Sequence, residues 1–381
     1  MRSVFLVVLF SVLSACSINA PNMPLNQSPQ YYDYIQPSFE AYQQVTYDWL
    51  KTHRRFITDD TAKELAMNAP YALGDKSSEK AILLVHGLAD SPYSFSDIAP
   101  SLVEMGFYVE VLLLPGHGSK PEDMMLPTYQ DWQTIVDHYA AKLSEQYDTV
   151  WLGGFSTGAN LVTHHAIDDA SIDGLLLFSP GFRSKVPVLE RLSPLVASVR
   201  DWGWRGEENN LARYQSSATN GADAYVKSAI AVRERIKQHG VSVPALVVMS
   251  EDDSVIDAQS TFELMDTYFT HPSTSMVWYG DESPKNDSVL VFPASIPEQR
   301  IVSASHMSVL FSEKNTYYGR FGEKRYCENT VSKSKVEACE SAESVWYGAW
   351  GAQHEDDPVA RLTWNPHYAE LEQTIRQITQ Q

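Results

Sequence analysis

Three cysteines, Cys16, Cys327 and Cys339, are all that this chain of 381 residues holds, and none sits in a Cys-x-x-Cys or His-rich pattern of the kind that binds zinc. Basic residues are scarce as well. The 29 Lys+Arg stand against 48 Asp+Glu, a formal charge of −19, with no basic run to neutralise a phosphate backbone, which excludes a nucleic-acid partner. Long apolar runs are missing too: the stretch Val4 to Phe10 falls short of the ~20 residues that cross a bilayer, and a mean hydropathy of −0.27 excludes a multi-span membrane protein. Only 19 glycines, with no repeat and no low-complexity tract, exclude a collagen-like chain, and 44% hydrophobic residues exclude disorder. What remains is a globular protein with a sizeable core.

The N-terminus reads as an address. Arg2, the apolar Val4 to Phe10 and then Leu13-Ser14-Ala15-Cys16 follow the charged, apolar, small order of a secretory leader. The last four residues also resemble a bacterial lipobox, which implies cleavage after residue 15 and lipid on Cys16; the alternative is an ordinary secretory signal. Ser17 resembles the outer-membrane default more than inner-membrane retention. The expectation is therefore a cell-envelope lipoprotein, anchored at the outer membrane by lipid rather than spanning it. In an exported chain the remaining pair, Cys327 and Cys339, is expected to form a disulfide that closes a short loop.

Beyond the leader, residues 16–78 read as an Asn/Pro/Ser-rich tether followed by an aromatic, helical extension. From Ala81 the rhythm changes to strand-length apolar runs alternating with helix-length amphipathic stretches, the pattern of a parallel sheet with crossover helices. Strands are expected at Ala81 to Val85, Phe107 to Leu114, Val150 to Gly153, Leu175 to Phe178 and Ala245 to Met249, and a strand-like run at Arg300 to Ser303. Helices are expected at Ser94 to Met105, Tyr129 to Tyr147, Ala159 to Ile167 and Ala222 to Gln238. Residues 181–242 break the alternation and read as a helical cap over the sheet's C-terminal edge. One decorated sheet over residues 79–381, with a cysteine-bearing section at 312–365, accounts for the length better than two or three domains.

Gly154-Phe155-Ser156-Thr157-Gly158 matches G-x-S-x-G, directly after one expected strand and directly before an expected helix. That placement holds a serine in a sharp turn with its Oγ exposed at a helix N-terminus, where backbone N–H groups favour developing negative charge. AILLVHGLADSPYSF, LLLPGHG and GGFSTGAN, in that order, resemble the α/β-hydrolase superfamily, especially its carboxylesterase and monoacylglycerol lipase branch, related to the serine aminopeptidases. The resemblance is close over residues 80–180, follows strand order to about 311, and is weak beyond.

The resemblance implies an α/β-hydrolase fold with a cap and a nucleophile, acid, base order of Ser, Asp or Glu, His. It points to Ser156 as nucleophile and to backbone N–H groups of Leu88 and Thr157 as the oxyanion hole. In SEDDSVID the family pattern G-x-x-D-x-V-V, with Ser250 in place of its glycine, points to Asp253 as the acid, Asp252 remaining the alternative; Asp257 is placed to cap a helix. SASHMSVLF resembles the loop that carries the general base, here His306, while His86 and His117 read as structural. No metal or cofactor is called for. The expected substrate is a small carboxylic ester with an apolar acyl group, a monoacylglycerol or lysophospholipid. Two other readings stay open: a serine aminopeptidase, with Glu207 or Glu208 receiving the amine, and a non-catalytic binding lipoprotein. Oligomeric state is not legible.

Overall fold

A computed structural model describes residues 32–282 and 284–380 of the chain. Arg2, Cys16 and the rest of the expected leader and tether lie outside them. Among the described residues no helix is long and apolar enough to cross a membrane.

The apolar runs pair into an eight-stranded sheet: β1 (Tyr71–Leu73), β2 (Lys80–Val85), β3 (Phe107–Leu112), β4 (Thr149–Phe155), β5 (Gly174–Phe178), β6 (Ala245–Ser250), β7 (Ser275–Tyr279) and β8 (Val289–Phe292). Its order is β1-β3-β2-β4-β5-β6-β7-β8, with β1 antiparallel to β3 and every other pair parallel. Central strands carry side chains into both faces, which is why they read as unbroken apolar runs. Ala81, Leu83 and Val85 of β2 join one core cluster, Ile82 and Leu84 the other.

Helices cover both faces. In chain order they are α1 (Phe39–His53), α2 (Thr61–Asn68), α3 (Ile98–Glu104), α4 (Tyr129–Ser144), α5 (Thr157–Asp168), α6 (Val188–Val199), α7 (Thr219–His239), α8 (Ala258–Tyr268), α9 (Lys333–Ser341) and α10 (Tyr368–Ile378). Apolar residues of α4, α5 and α7 fill the first cluster; Ile98 and Leu102 of α3 with Leu371 and Ile375 of α10 fill the second. The mostly parallel, doubly wound sheet is the one the resemblance implies.

Several elements differ from expectation. The helix expected at Ser94 to Met105 is interrupted: Ser94 and Phe95 close a 3-10 turn that Pro92 opens, and α3 begins only at Ile98. Arg300 to Ser303 is not a strand: Ile301 makes only isolated bridges, to Ile296 and Tyr347. The sheet instead gains β7 and β8 from the stretch that carried no expected strand. Residues 181–242 hold α6, a short antiparallel pair of Trp202–Trp204 with Ser217–Ala218, and α7.

The N-terminal extension is packed rather than loose. Tyr42 of α1 donates its hydroxyl to the Leu113 carbonyl (2.8 Å) and accepts from the Leu113 N–H (3.0 Å), seated at the end of β3. Just past α1, Arg54 pairs with Glu64 of α2 through Nη2 at 2.8 Å with both side chains buried; the same Nη2 also donates to the Leu211 carbonyl, and Nη1 to the Gly118 carbonyl. Asn68 donates to the same Leu211 carbonyl at 2.7 Å. A buried ion pair is tolerated only when its remaining donors are satisfied, and here those donors fix the backbone at residue 211.

The C-terminal section is tied by the Cys327–Cys339 disulfide, Cα atoms 5.6 Å apart, and by parallel pairing of Trp346–Gly348 with Val359–Arg361.

Candidate active site

β4 ends at Phe155 and α5 begins at Thr157, leaving Ser156 alone to turn the chain, with φ 53° and ψ −114°. Positive φ in a non-glycine residue costs about 1 to 3 kcal/mol, and the surroundings hold it in place. The Ser156 N–H donates to the Phe178 carbonyl, and the Ser156 carbonyl receives the N–H of Ala159 and of Gly181. A Cβ on Gly158 would collide with the Val85 carbonyl, and one on Gly154 with the backbone of Ala159, so the turn requires both glycines. Thr157 is the first residue of α5, where a backbone N–H has no intrahelical acceptor.

His306 lies in the loop after Ile301. Its Nδ1 is 2.6 Å from Asp253 Oδ2, across 53 residues of sequence. Asp253 is fully buried just past β6, and its Oδ1 accepts the N–H groups of Val255 (2.8 Å) and Ile256 (2.9 Å). Its neighbour Asp252 is exposed. Glu251 accepts the N–H of Asp281 and Glu282, and Asp257 accepts the N–H of Ser260 as the cap of α8. The four carboxylates thus divide: one faces the histidine, two cap backbone, one meets solvent.

Ser156, Thr157, Leu88 and His306 line one cavity of about 480 Å³. Its lining also includes the exposed Trp204 and Val255, and Arg213, Tyr214, Tyr326, Glu328 and Arg361. Glu207 and Glu208 are not among the lining residues; Glu208 is spent on the N–H groups of Gln215 and Ser216.

Two further histidines shape the loop that carries Leu88. His86 is buried; its Nε2 accepts the Leu114 N–H (3.0 Å), so its Nδ1 carries the proton toward the Gly87 carbonyl. His117 Nε2 accepts the N–H of Ala89 (3.0 Å), itself at φ 64°, while Nδ1 faces the carbonyls of Leu114 and Pro115. Read only as structural from its sequence context, His117 braces the residue after Leu88. Ser179, also unforeseen and also at positive φ, donates its hydroxyl to the His306 carbonyl at 2.9 Å. A hydroxyl at a strand end carries no motif, so only the fold reveals it.

Burial pulls the His117 ring down to about 4, its bonds to the carbonyls of Leu114 and Pro115 opposing that shift only in part. Protonation would turn Nε2 into a donor facing the Ala89 N–H. An unfolded histidine titrates near 6.5, so the unfolded chain binds the extra proton first as pH falls. The stabilisation from a neutral His117 is therefore complete above about pH 6.5 and is lost toward pH 4, on the order of 3 kcal/mol at 1.36 kcal/mol per pKa unit. In melts from pH 7 to 4, His117→Gln, which keeps an acceptor but no titrating ring, is expected to show a shallower fall in Tm than the wild type. Parallel curves would refute this account.

Comparison with known proteins gives the same region a setting. The family model described as serine aminopeptidase, S33, matches residues 76–239, a stretch that contains Leu88, Ser156 and Thr157 but neither Asp253 nor His306. Over 194 residues the chain is 28% identical to a thermostable monoacylglycerol lipase of Bacillus sp. (strain H-257), covering 46% of this chain and 71% of that one. Over 84 residues it is 30% identical to a carboxylesterase of Bacillus subtilis (strain 168), covering 22% of this chain and 34% of that one. Among solved structures it resembles the monoacylglycerol lipase of Paleococcus ferrophilus, with 16% identity, a TM-score of 0.47, and coverage of 55% of this chain and 87% of that one.

Proposed function

We propose that this α/β-hydrolase cleaves small carboxylic esters with an apolar acyl group by two-step acyl transfer. One observation carries the reading: Ser156, held in a strained turn at a helix N-terminus, faces the same cavity as His306, whose far nitrogen is 2.6 Å from buried Asp253. His306 takes the Ser156 proton as Oγ attacks the carbonyl, and Asp253 fixes the ring's tautomer and steadies the imidazolium. The N–H groups of Leu88 and Thr157 receive the oxyanion, each worth about 3 kcal/mol of barrier. His306 returns the proton to the leaving alkoxide, and water activated by the same ring then frees the acid.

The names of the similar Bacillus proteins, a monoacylglycerol lipase and a carboxylesterase, favour esters over peptides. So does the position of Glu207 and Glu208 outside the cavity, where neither could receive a substrate amine. In this reading the protein is a lipoprotein, held at the outer membrane by lipid on Cys16, which brings the cleft near monoacylglycerols and lysophospholipids; its support is the leader-like order of residues 2–16. A panel of p-nitrophenyl esters of increasing acyl length, run beside aminoacyl and peptidyl p-nitroanilides, tests the bond class. Esters are expected to turn over and anilides to stay intact. Cleavage of the anilides with little on the esters would replace the esterase by the aminopeptidase.

A further inference from the structure

The lining of the cavity has a charge pattern that an uncharged monoacylglycerol does not need. Besides His306 and the tyrosines, four side chains that carry charge at neutral pH line it: Asp90, Arg213, Glu328 and Arg361. Three have partners within the protein. Asp90 pairs with Arg213 at 3.5 Å from its Nε, and Glu328 Oε1 accepts from Asn209 Nδ2 at 2.7 Å with Lys324 Nζ at 3.5 Å, its Oε2 being left without a hydrogen-bond partner.

Arg361 is different. It ends the strand Val359–Arg361, its N–H held by the Tyr326 carbonyl, its Nε donating to Asn329 Oδ1 at 2.6 Å and its guanidinium 5.4 Å from the Tyr326 ring centre. Among the described residues no carboxylate forms an ion pair with it. Burial draws its pKa down to about 10; the Tyr326 hydroxyl, Asp253 and Glu328 oppose that shift, while the positive charge of Arg213 adds to it. A half-buried guanidinium without an ion-pair partner, sharing its cavity with a second one, is costly. The cost is recovered if an anion enters between them, since the planar fork of arginine suits a carboxylate or phosphate.

We propose that Arg361, assisted by Arg213, binds an oxyanion carried by the ester substrate itself, a carboxylate or a phosphate, so that the preferred substrates are anionic esters. This rests on the esterase reading above, because the guanidiniums share one cavity with Ser156 and His306. At about 480 Å³ that cavity has room for one ligand of moderate size, and the anion and the scissile ester belong to one molecule. Arg361 lies outside the stretch matched by the family model, on the section closed by the Cys327–Cys339 bond. The specificity would thus be a property of this chain's own C-terminal section.

Two matched substrate pairs test it and separate the possible positions of the charge. p-Nitrophenyl hexanoate against mono-p-nitrophenyl adipate places a carboxylate on the acyl side; 1-lauroylglycerol against its 3-phosphate places a phosphate on the alcohol side. In at least one pair the wild type is expected to favour the anionic member in kcat/KM. In Arg361→Gln that ratio should fall about tenfold or more, the scale of one charge-assisted contact. Arg361→Lys keeps the charge but loses the bond to Asn329, and should restore part of the preference; a purely structural role would leave Lys as impaired as Gln. Binding is read apart from turnover by titrating Ser156→Ala protein with glycerol 3-phosphate and with adipate. Neutral members preferred in both pairs, a ratio unmoved in Arg361→Gln, or no binding of either anion would overturn the proposal. Hydrolysis of the neutral esters reports separately on the esterase reading.

Discussion

Ser156→Ala is expected to lower kcat on p-nitrophenyl esters by about 10⁵-fold or more, leaving only what the oxyanion donors and binding supply. The size follows from the absence of a substitute. The neighbouring hydroxyl, Thr157, is buried on the first turn of α5, and its Oγ1 lacks a hydrogen-bond partner, so it is no part of the relay that ends at His306. Fluorophosphonate should label the wild type and fail on the variant. The fold should survive, because Ser156 contributes its backbone to the turn through the bonds to Phe178 and Gly181, and alanine keeps these. Undiminished hydrolysis by Ser156→Ala would end the acyl-enzyme reading.

Asp253→Asn comes next, with an expected loss of about 10⁴-fold in kcat. An asparagine carbonyl can still accept the Val255 and Ile256 N–H groups, which turns its amide nitrogen toward His306. Nδ1 must then accept, the ring proton moves to Nε2, and the nitrogen facing the cleft can no longer take a proton from serine. Asp252→Asn is the control: exposed and one residue away, it should stay within about threefold of wild type, surface changes being worth about 0.5 kcal/mol or less. A loss of equal size in both variants would mean that the loop, rather than the Asp253 carboxylate, carries the effect.

What could be read from the sequence had local causes. The five strands β2 to β6 announce themselves because each is buried on both faces, and the Ser156 turn because two glycines must stand beside it. Asp253 came only through resemblance, since nothing in Ser250 to Asp257 says which carboxylate points inward; in the structure Asp253 is buried beside His306 and Asp252 is exposed. The edge of the sheet was harder. In β8, Leu290 and Val291 are exposed side by side, which breaks the alternation that marks a half-buried strand, whereas β-branched Ile301 and Val302 imitate one. Arg213 and Arg361 were out of reach for another reason: residues so far apart in sequence share one cavity only because the C-terminal section folds back over the cleft.

That return of the chain also sets an order of events. Lys80 bonds Thr379, Tyr93 bonds Asn315 and Leu211 bonds Tyr317, closures spanning 299, 222 and 106 residues. Such distant closures carry a large loop entropy and form slowly. During synthesis β2 to β5 and the Ser156 turn are available early, but His306 comes much later, and the wall holding Tyr326 and Arg361 later still. Of the helices only α10 follows the last of the cleft's residues, and under the proposed mechanism a chain cut short after Ser156 is expected to show no turnover.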